Sequence, residues 1–426
     1  MHALRRWWHD TAGGLPATFW YLWAGLLINR AGAFAMLFLS LYLTDVRGAS
    51  VGLAGTVVGA YGAGGAAGVL LGGVLADRWG RRATLLAAHL VTAGLMVALA
   101  FSRPLLLIAV LSALIGVVHS MPSPAFVAAI VDVVPAERRS RAFNLQFWAF
   151  NLGMAVASLL AGVLAEASFT ALFLVDAGAT LTAAAVIGWK VPETLRVAAP
   201  AVGQPAARSA PRRPGLHTAL TDRTFLVFVG LTFVLAVLTM QTSTIMPLAM
   251  SADGLGPSAY GSVVALGGAL IVVGQLFVPR LIDRHRKDVV LAASTALLAL
   301  GFGVLAVADE LAIYLGAAAV WTVGSMLAAP PNAQINADLA PPQLRARYQS
   351  VFYLTFPAAA FVAPTLGGVS LQHLGDRHWL IVGGLGMVAA IGHLLAGPPR
   401  ERHVAALRRA DERKPTTHVG DRAPIA

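Results

Sequence analysis

Residues 72–82 read Gly-Gly-Val-Leu-Ala-Asp-Arg-Trp-Gly-Arg-Arg, a charged turn between two long apolar runs at about 51–76 and 83–102. A helix needs about 20 apolar residues to cross the bilayer core. A chain that leaves one such run, shows one carboxylate and three guanidiniums, and enters the next is therefore crossing a membrane twice. The alternation continues in both directions, with further apolar runs at about 17–43, 104–130, 142–165, 168–189, 224–250, 257–281, 289–308, 311–334, 348–373 and 378–396. Twelve spans are predicted, in an all-α membrane protein. Composition agrees: 57% of the 426 residues are hydrophobic and 12% are charged, against ~25% charged in a soluble domain. A soluble enzyme or a disordered chain is excluded, because neither could keep that much apolar surface from water. With no cysteine, a disulfide scaffold and thiol chemistry are excluded as well. The net charge of +11 sits in short loops rather than on one soluble face, so no nucleic-acid partner is expected.

Positive charge orients the spans. Of the 31 Lys and Arg residues, only Arg47, Arg103 and Arg377 fall in the loops of one side, and Arg30 falls within a span. The others share the side of both termini, which places the termini in the cytoplasm and the chain in the cell membrane. The Arg5-Arg6 start leads into an apolar run too long for a cleaved signal peptide, so it is read as a retained first span. Residues 191–223, rich in Pro, Ala and Arg, read as a flexible linker between six-helix units at 1–190 and 224–397, with a basic, partly disordered tail at 398–426. The two units are copies. At a constant offset of 206, Asp77-Arg78 falls on Asp283-Arg284, Pro124 on Pro330, Asp132 on Asp338, Arg139 on Arg345, and Gly55, Gly62 and Gly68 on Gly261, Gly268 and Gly274. Parallel repeats about an axis along the membrane normal are a transporter plan.

The 72–82 stretch resembles the signature loop of the major facilitator superfamily, with a weaker copy at residues 281–287, and residues 132–141 are similar to its second signature. The resemblance covers the whole chain and leans to the drug:proton antiporter branch. It implies two parallel six-helix bundles that rock about a central site, and a monomer that needs no cofactor. Two departures stand out. Ser112 occupies the position where that branch carries an Arg four residues before Gly116, and the span-5 stretch Asn151-Leu152-Gly153 to Gly162 lacks the branch's Gly-Pro step. The resemblance also implies that Gly73, Asp77, Arg78, Arg81, Asp132, Arg139, Arg141, Asp283, Arg284, Asp338 and Arg345 form a cytoplasmic gate, remade in each cycle. A plainer reading has those arginines only fixing topology.

Arg30 lies near the midplane, where a cation is costly and faces a cavity or an acid. Asp176 is its expected partner: spans 1 and 6 are neighbours in the resembled fold, and the depths differ by ~7–8 Å. The pair is either a proton carrier or a permanent structural ion pair. His119, also near mid-membrane, titrates near neutral pH and is a third proton-coupling candidate. His89 ranks lower, on a span that is peripheral in the family, and Glu166 reads as a solvated end residue. The family's cavity helices carry Asn29, Phe34, Asn144, Gln146, Trp148, Asn151, Gln241, Thr244, Gln275, Trp321, Ser325, Met326, Tyr353 and Phe356, a mixed aromatic and amide lining suited to ligands that are apolar with a few polar groups. Any one of these could equally be helix packing. No metal-ligand cluster or phosphate-binding loop occurs. The reading is a secondary transporter of small molecules, efflux by proton antiport leading and uptake or exchange of a polar metabolite second.

Overall fold

A computed structural model of the protein describes residues 13–33, 35–195, 217–274, 277–282, 285–341 and 344–412. It contains twelve helices long and apolar enough to cross a membrane, and no strand among the described residues. We number them α1 (Ala17–Val46), α2 (Val51–Arg78), α3 (Arg81–Phe101), α4 (Leu105–Val133), α5 (Arg141–Ala167), α6 (Phe169–Lys190), α7 (Arg223–Ser243), α8 (Pro257–Gly274), α9 (Lys287–Val307), α10 (Leu311–Leu339), α11 (Arg347–Leu374) and α12 (Arg377–Leu407). Twelve helices form where the twelve apolar runs lie, with two differences: the first is interrupted after Ala31, and the seventh ends at Ser243, with Met246–Ala252 a separate short helix.

Local chemistry sets many of the ends. Ser50, Ser168 and Asp222 accept hydrogen bonds from the backbone N–H of Leu53, Ala171 and Phe225, capping α2, α6 and α7. Gly80, between α2 and α3, has a φ of 105°, a left-handed value that a residue with a Cβ rarely adopts. The turn predicted from 72–82 therefore depends on that glycine. In α4 the helix Leu105–Ser120 passes to Pro122–Val133 at a proline. The last helix runs on through Pro398 and Pro399 to Glu412, beyond the apolar run that ends near 396, so the first part of the tail is helical.

Within the N-terminal half, α3 packs on α6, α2 on α4, and α1 on α5 and α6; in the C-terminal half, α9 packs on α10 and α12, and α7 on α11 and α12. A stack of Trp321, Phe302 and Trp379 fills the C-terminal core, with ring centroids 5.0 and 6.1 Å apart and planes nearly parallel. The halves meet through α2 with α11 and α5 with α8. The 206 offset maps α2 onto α8 and α5 onto α11, so the two contacts are one contact made twice.

The start of α1 and the end of α12 lie at the same, terminal end of the bundle, since the number of spans is even. The close contacts between halves sit at the far end. A Cβ on Gly55 would strike the Pro364 carbonyl, and one on its repeat mate Gly261 would strike the Ser158 carbonyl. A Cβ on Gly268 would lie 2.8 Å from that of Ala155. Small residues let the backbones approach this closely in lipid, where packing rather than hydrophobicity holds helices together.

Candidate functional site

Two polar regions bear on function. The first is inside the N-terminal half. Five of its helices surround a cavity of about 120 Å³, to which α1 contributes Asn29 and Arg30, α3 His89 and α4 His119, with Gln146 and Thr180 added by α5 and α6. Asn29, only 6% exposed, donates its amide to the Thr180 hydroxyl (3.3 Å), and that hydroxyl reaches the Asp176 carboxylate at 3.5 Å. Asp176, 4% exposed, lies within electrostatic reach of both Arg30 and Tyr61. The Arg30 guanidinium sits over the Phe150 ring, 4.9 Å from its centroid, a geometry in which the ring quadrupole attracts the cation. The His119 Nδ1 and the Tyr61 hydroxyl are hydrogen-bonded at 2.8 Å, joining α4 to α2. Five ionisable side chains from five helices, Arg30, Tyr61, His89, His119 and Asp176, thus gather in a region where an isolated charge is costly. The size decides what can enter. At ~30 Å³ per water the space suits a few waters, whereas drug-sized ligands occupy roughly 300–1,000 Å³.

The second region is at the terminal end, where the 72–82 turn meets its surroundings. Arg81 bridges Asp132 (3.0 Å) and Asp77 (3.5 Å), and Asp132 also accepts the Thr194 hydroxyl. In the other half Lys287 pairs with Asp338 at 2.8 Å. Lys287 and Asp338 are the 206-offset mates of Arg81 and Asp132, so the ion pair is built in both copies. Glu193, just past α6, accepts the backbone N–H groups of Arg81 (2.8 Å), Arg82 (3.2 Å) and Ala83 (3.4 Å), capping α3 from outside its own chain segment. Partial burial alone would raise its pKa. The amide donors of Leu195, Arg81, Ala83 and Thr194 outweigh that and hold the carboxyl below its ordinary value.

The other expected residues are dispersed. Gly73 has open space where a Cβ would be, and Arg78 is exposed. Arg139 donates to the Val131 and Val134 carbonyls at the end of α4, while Arg141 is exposed. Asn144 is exposed and Trp148 half-buried, and the Asn151 amide donates to the Phe147 carbonyl one turn back. Gln241 lines a separate apolar cavity of about 250 Å³ between α7, α11 and α12. Thr244 bonds its own helix through the Met240 carbonyl. Trp321 is in the aromatic stack, Ser325 is half-buried beside Met326, and the Met326 sulfur lies 2.6 Å from where a Cβ on Gly274 would be. Tyr353 and Phe356 flank Phe352 edge-on and are exposed. Phe34, Gln275, Asp283 and Arg284 lie outside the described residues, as does the Arg345 side chain.

Sequence reasoning passed over Tyr61, Thr180 and Glu193, and gave His89 a low rank; His89 lines the same cavity as His119. Nothing in the sequence distinguishes a Tyr or Thr that faces Arg30 from one that faces a neighbouring helix. Glu166 is no bystander either: its carboxylate holds Ser258 across the halves.

Comparison with known proteins bears on this arrangement. The sequence matches the Major Facilitator Superfamily over residues 22–364 and again over 231–423. It is 26% identical to the MFS-type transporter YttB of Bacillus subtilis over 369 residues, 85% of this chain and 90% of the relative. It is 25% identical to the multidrug resistance protein MdtH of Aeromonas hydrophila over 387 residues, 87% and 93% of the two chains. Among solved structures, a peptide transporter POT in complex with alafosfalin superposes with a TM-score of 0.75 at 18% identity, covering 91% of this chain and 96% of that one. The nucleoside transporter NupG superposes with a TM-score of 0.70 at 14% identity, covering 88% and 99%. Repeat, helix order and sequence match converge, and the chain belongs to the Major Facilitator Superfamily of membrane transporters.

Proposed function

We propose that the protein exports lipophilic or amphipathic small molecules from the cytoplasm by proton antiport, working as a monomer in the cell membrane with both termini cytoplasmic. The observation that carries the reading is a set of ionisable groups in the N-terminal half: Arg30, His89 and His119 line a cavity too small for such a substrate, Tyr61 is hydrogen-bonded to His119, and Asp176 accepts from Thr180 of the same lining. Proton binding and substrate binding are then separate in space. Asp176 takes up the proton, and Arg30 is its counter-charge when the carboxylate is ionised. Substrate occupies the cleft between the halves, bordered by Asn144, Trp148, Tyr353 and Phe356 on α5 and α11. The close contacts between the halves are at the far end, which supports a cleft that opens toward the cytoplasm. The similarity to a multidrug resistance protein supports efflux.

The test is transport of a lipophilic cationic dye such as ethidium in inside-out vesicles. Acidifying the lumen should drive dye accumulation by the parent protein. Asp176→Asn should lower that accumulation by about a hundredfold or more, the scale on which removing a proton-transfer group acts, yet retain dye exchange without a gradient. Full proton coupling in Asp176→Asn refutes the role given to Asp176. Proton-driven accumulation of a polar solute in right-side-out vesicles alone favours uptake instead.

A further inference from the structure

At the far end of the bundle the first turns of α2 and α8 offer backbone N–H groups that have no partner within their own helices. Each is met by a side chain from the opposite half. The Gly52 N–H donates to the Gln372 Oε1 of α11 at 2.8 Å. The Ser258 N–H donates to the Glu166 Oε1 of α5 at 3.2 Å, and the Ser258 hydroxyl donates to the same oxygen. Ser258 is the 206-offset mate of Gly52, and Gln372 is the mate of Glu166, so one bond is made twice with different chemistry. Directly beneath, Gly55 meets the Pro364 carbonyl and Gly261 the Ser158 carbonyl, and these four residues are repeat mates as well.

We infer that Gln372–Gly52 and Glu166–Ser258 are the two jaws of a far-end gate, unequal in strength, and that Glu166 is the positioning residue that sets the balance between the two access states. The Gln372 jaw is a single neutral hydrogen bond. The Glu166 jaw is charge-assisted, and such bonds are roughly twice as strong. Its carboxylate also faces the positive end of the α8 dipole. A rocking motion that opens the far end must break both jaws and part the glycine contacts below them. The α5–α8 side therefore holds longest, and its charge stabilises the state closed at the far end.

The absence of native cysteine gives a clean background for reporters. Ser158→Cys sits beneath the Glu166 jaw at a site with no exposure. Its labelling by a membrane-impermeant maleimide reports far-end opening. Spin labels at Asn144→Cys and Tyr353→Cys, one on each half, report the terminal end by distance. On the Ser158→Cys background, Glu166→Gln should speed labelling roughly tenfold through loss of charge assistance, and Gln372→Glu should slow it. On the spin-label background, Glu166→Gln should shorten the distance, because the halves close at one end as they open at the other. A general loosening of the fold would speed labelling and lengthen or broaden the distance, which overturns the inference. So does labelling of Glu166→Gln at the parent rate. A Glu166→Cys/Ser258→Cys pair that fails to form a disulfide under oxidant likewise overturns it. None of these readouts uses a transported substrate, so they stand or fall independently of the efflux reading.

Discussion

Arg30 stands out in the sequence because it breaks the rule that cations flank spans, and the midplane makes any such exception expensive. Its surroundings were only partly legible. Asn29 and Thr180 join α1 to α6 beside it, yet each looks like any other small polar residue in an apolar run. Tyr61 is similar: the bond to His119 at 2.8 Å spans two helices and 58 residues of sequence. Tyr61→Phe should leave the His119 Nδ1 without its partner at a half-buried position, a loss of about 0.5–1.5 kcal/mol. The expected result is a lower melting temperature in detergent and a displaced pH profile of dye transport. An unchanged pH profile would make the Tyr61–His119 bond purely structural.

Among elements, the 72–82 turn is held by more than its own charges. Gly80 supplies the backbone conformation, Arg81 ties the turn to Asp132 on α4, and Glu193 arrives from beyond α6 to cap α3. The first two are visible in the motif; the third is not, since Glu193 is over a hundred residues away in a polar stretch that reads as linker. Glu193→Ala should destabilise the protein by about 0.5–2 kcal/mol, the range for losing a helix cap. Because the folded carboxyl titrates below its ordinary value, its contribution is present above the unfolded pKa and fades as pH falls through the folded one. The melting-temperature gap between parent and Glu193→Ala should be full at neutral pH and shrink as pH falls through the carboxylate range. A gap of constant size across that range would show that the charge of Glu193 does no capping.

For the whole molecule, the repeat that appears as a constant offset in sequence reappears as a pseudo-symmetric pair of interfaces. Arg81–Asp132 and Lys287–Asp338 are one ion pair made twice at the terminal end, and the glycine contacts of α2 on α11 and α8 on α5 are one seam made twice at the far end. Gly261→Leu places a branched side chain against the Ser158 carbonyl. It should keep the far end from closing and shorten the spin-label distance between Asn144 and Tyr353. Gly94→Ala, in α3 with open space around it, should leave that distance unchanged. Equal distances for parent and Gly261→Leu would mean that the seam does not set the access state.

Span number, the two-copy plan and the exceptional position of Arg30 followed from sequence alone. Partition into a bilayer is a local sum over about 20 consecutive residues, and a fixed offset needs no coordinates to be seen. Which polar side chains meet was decided by the tertiary structure: Asn29 with Thr180, Tyr61 with His119 and Glu166 with Ser258. Each pairing depends on how far each helix is rotated about its axis and tilted against its neighbour. A residue turns by 100° per step along a helix of 3.6 residues per turn. Small differences in rotation between helices far apart in sequence therefore decide whether a Tyr, a Thr or a Glu faces lipid, a neighbouring backbone or a partner.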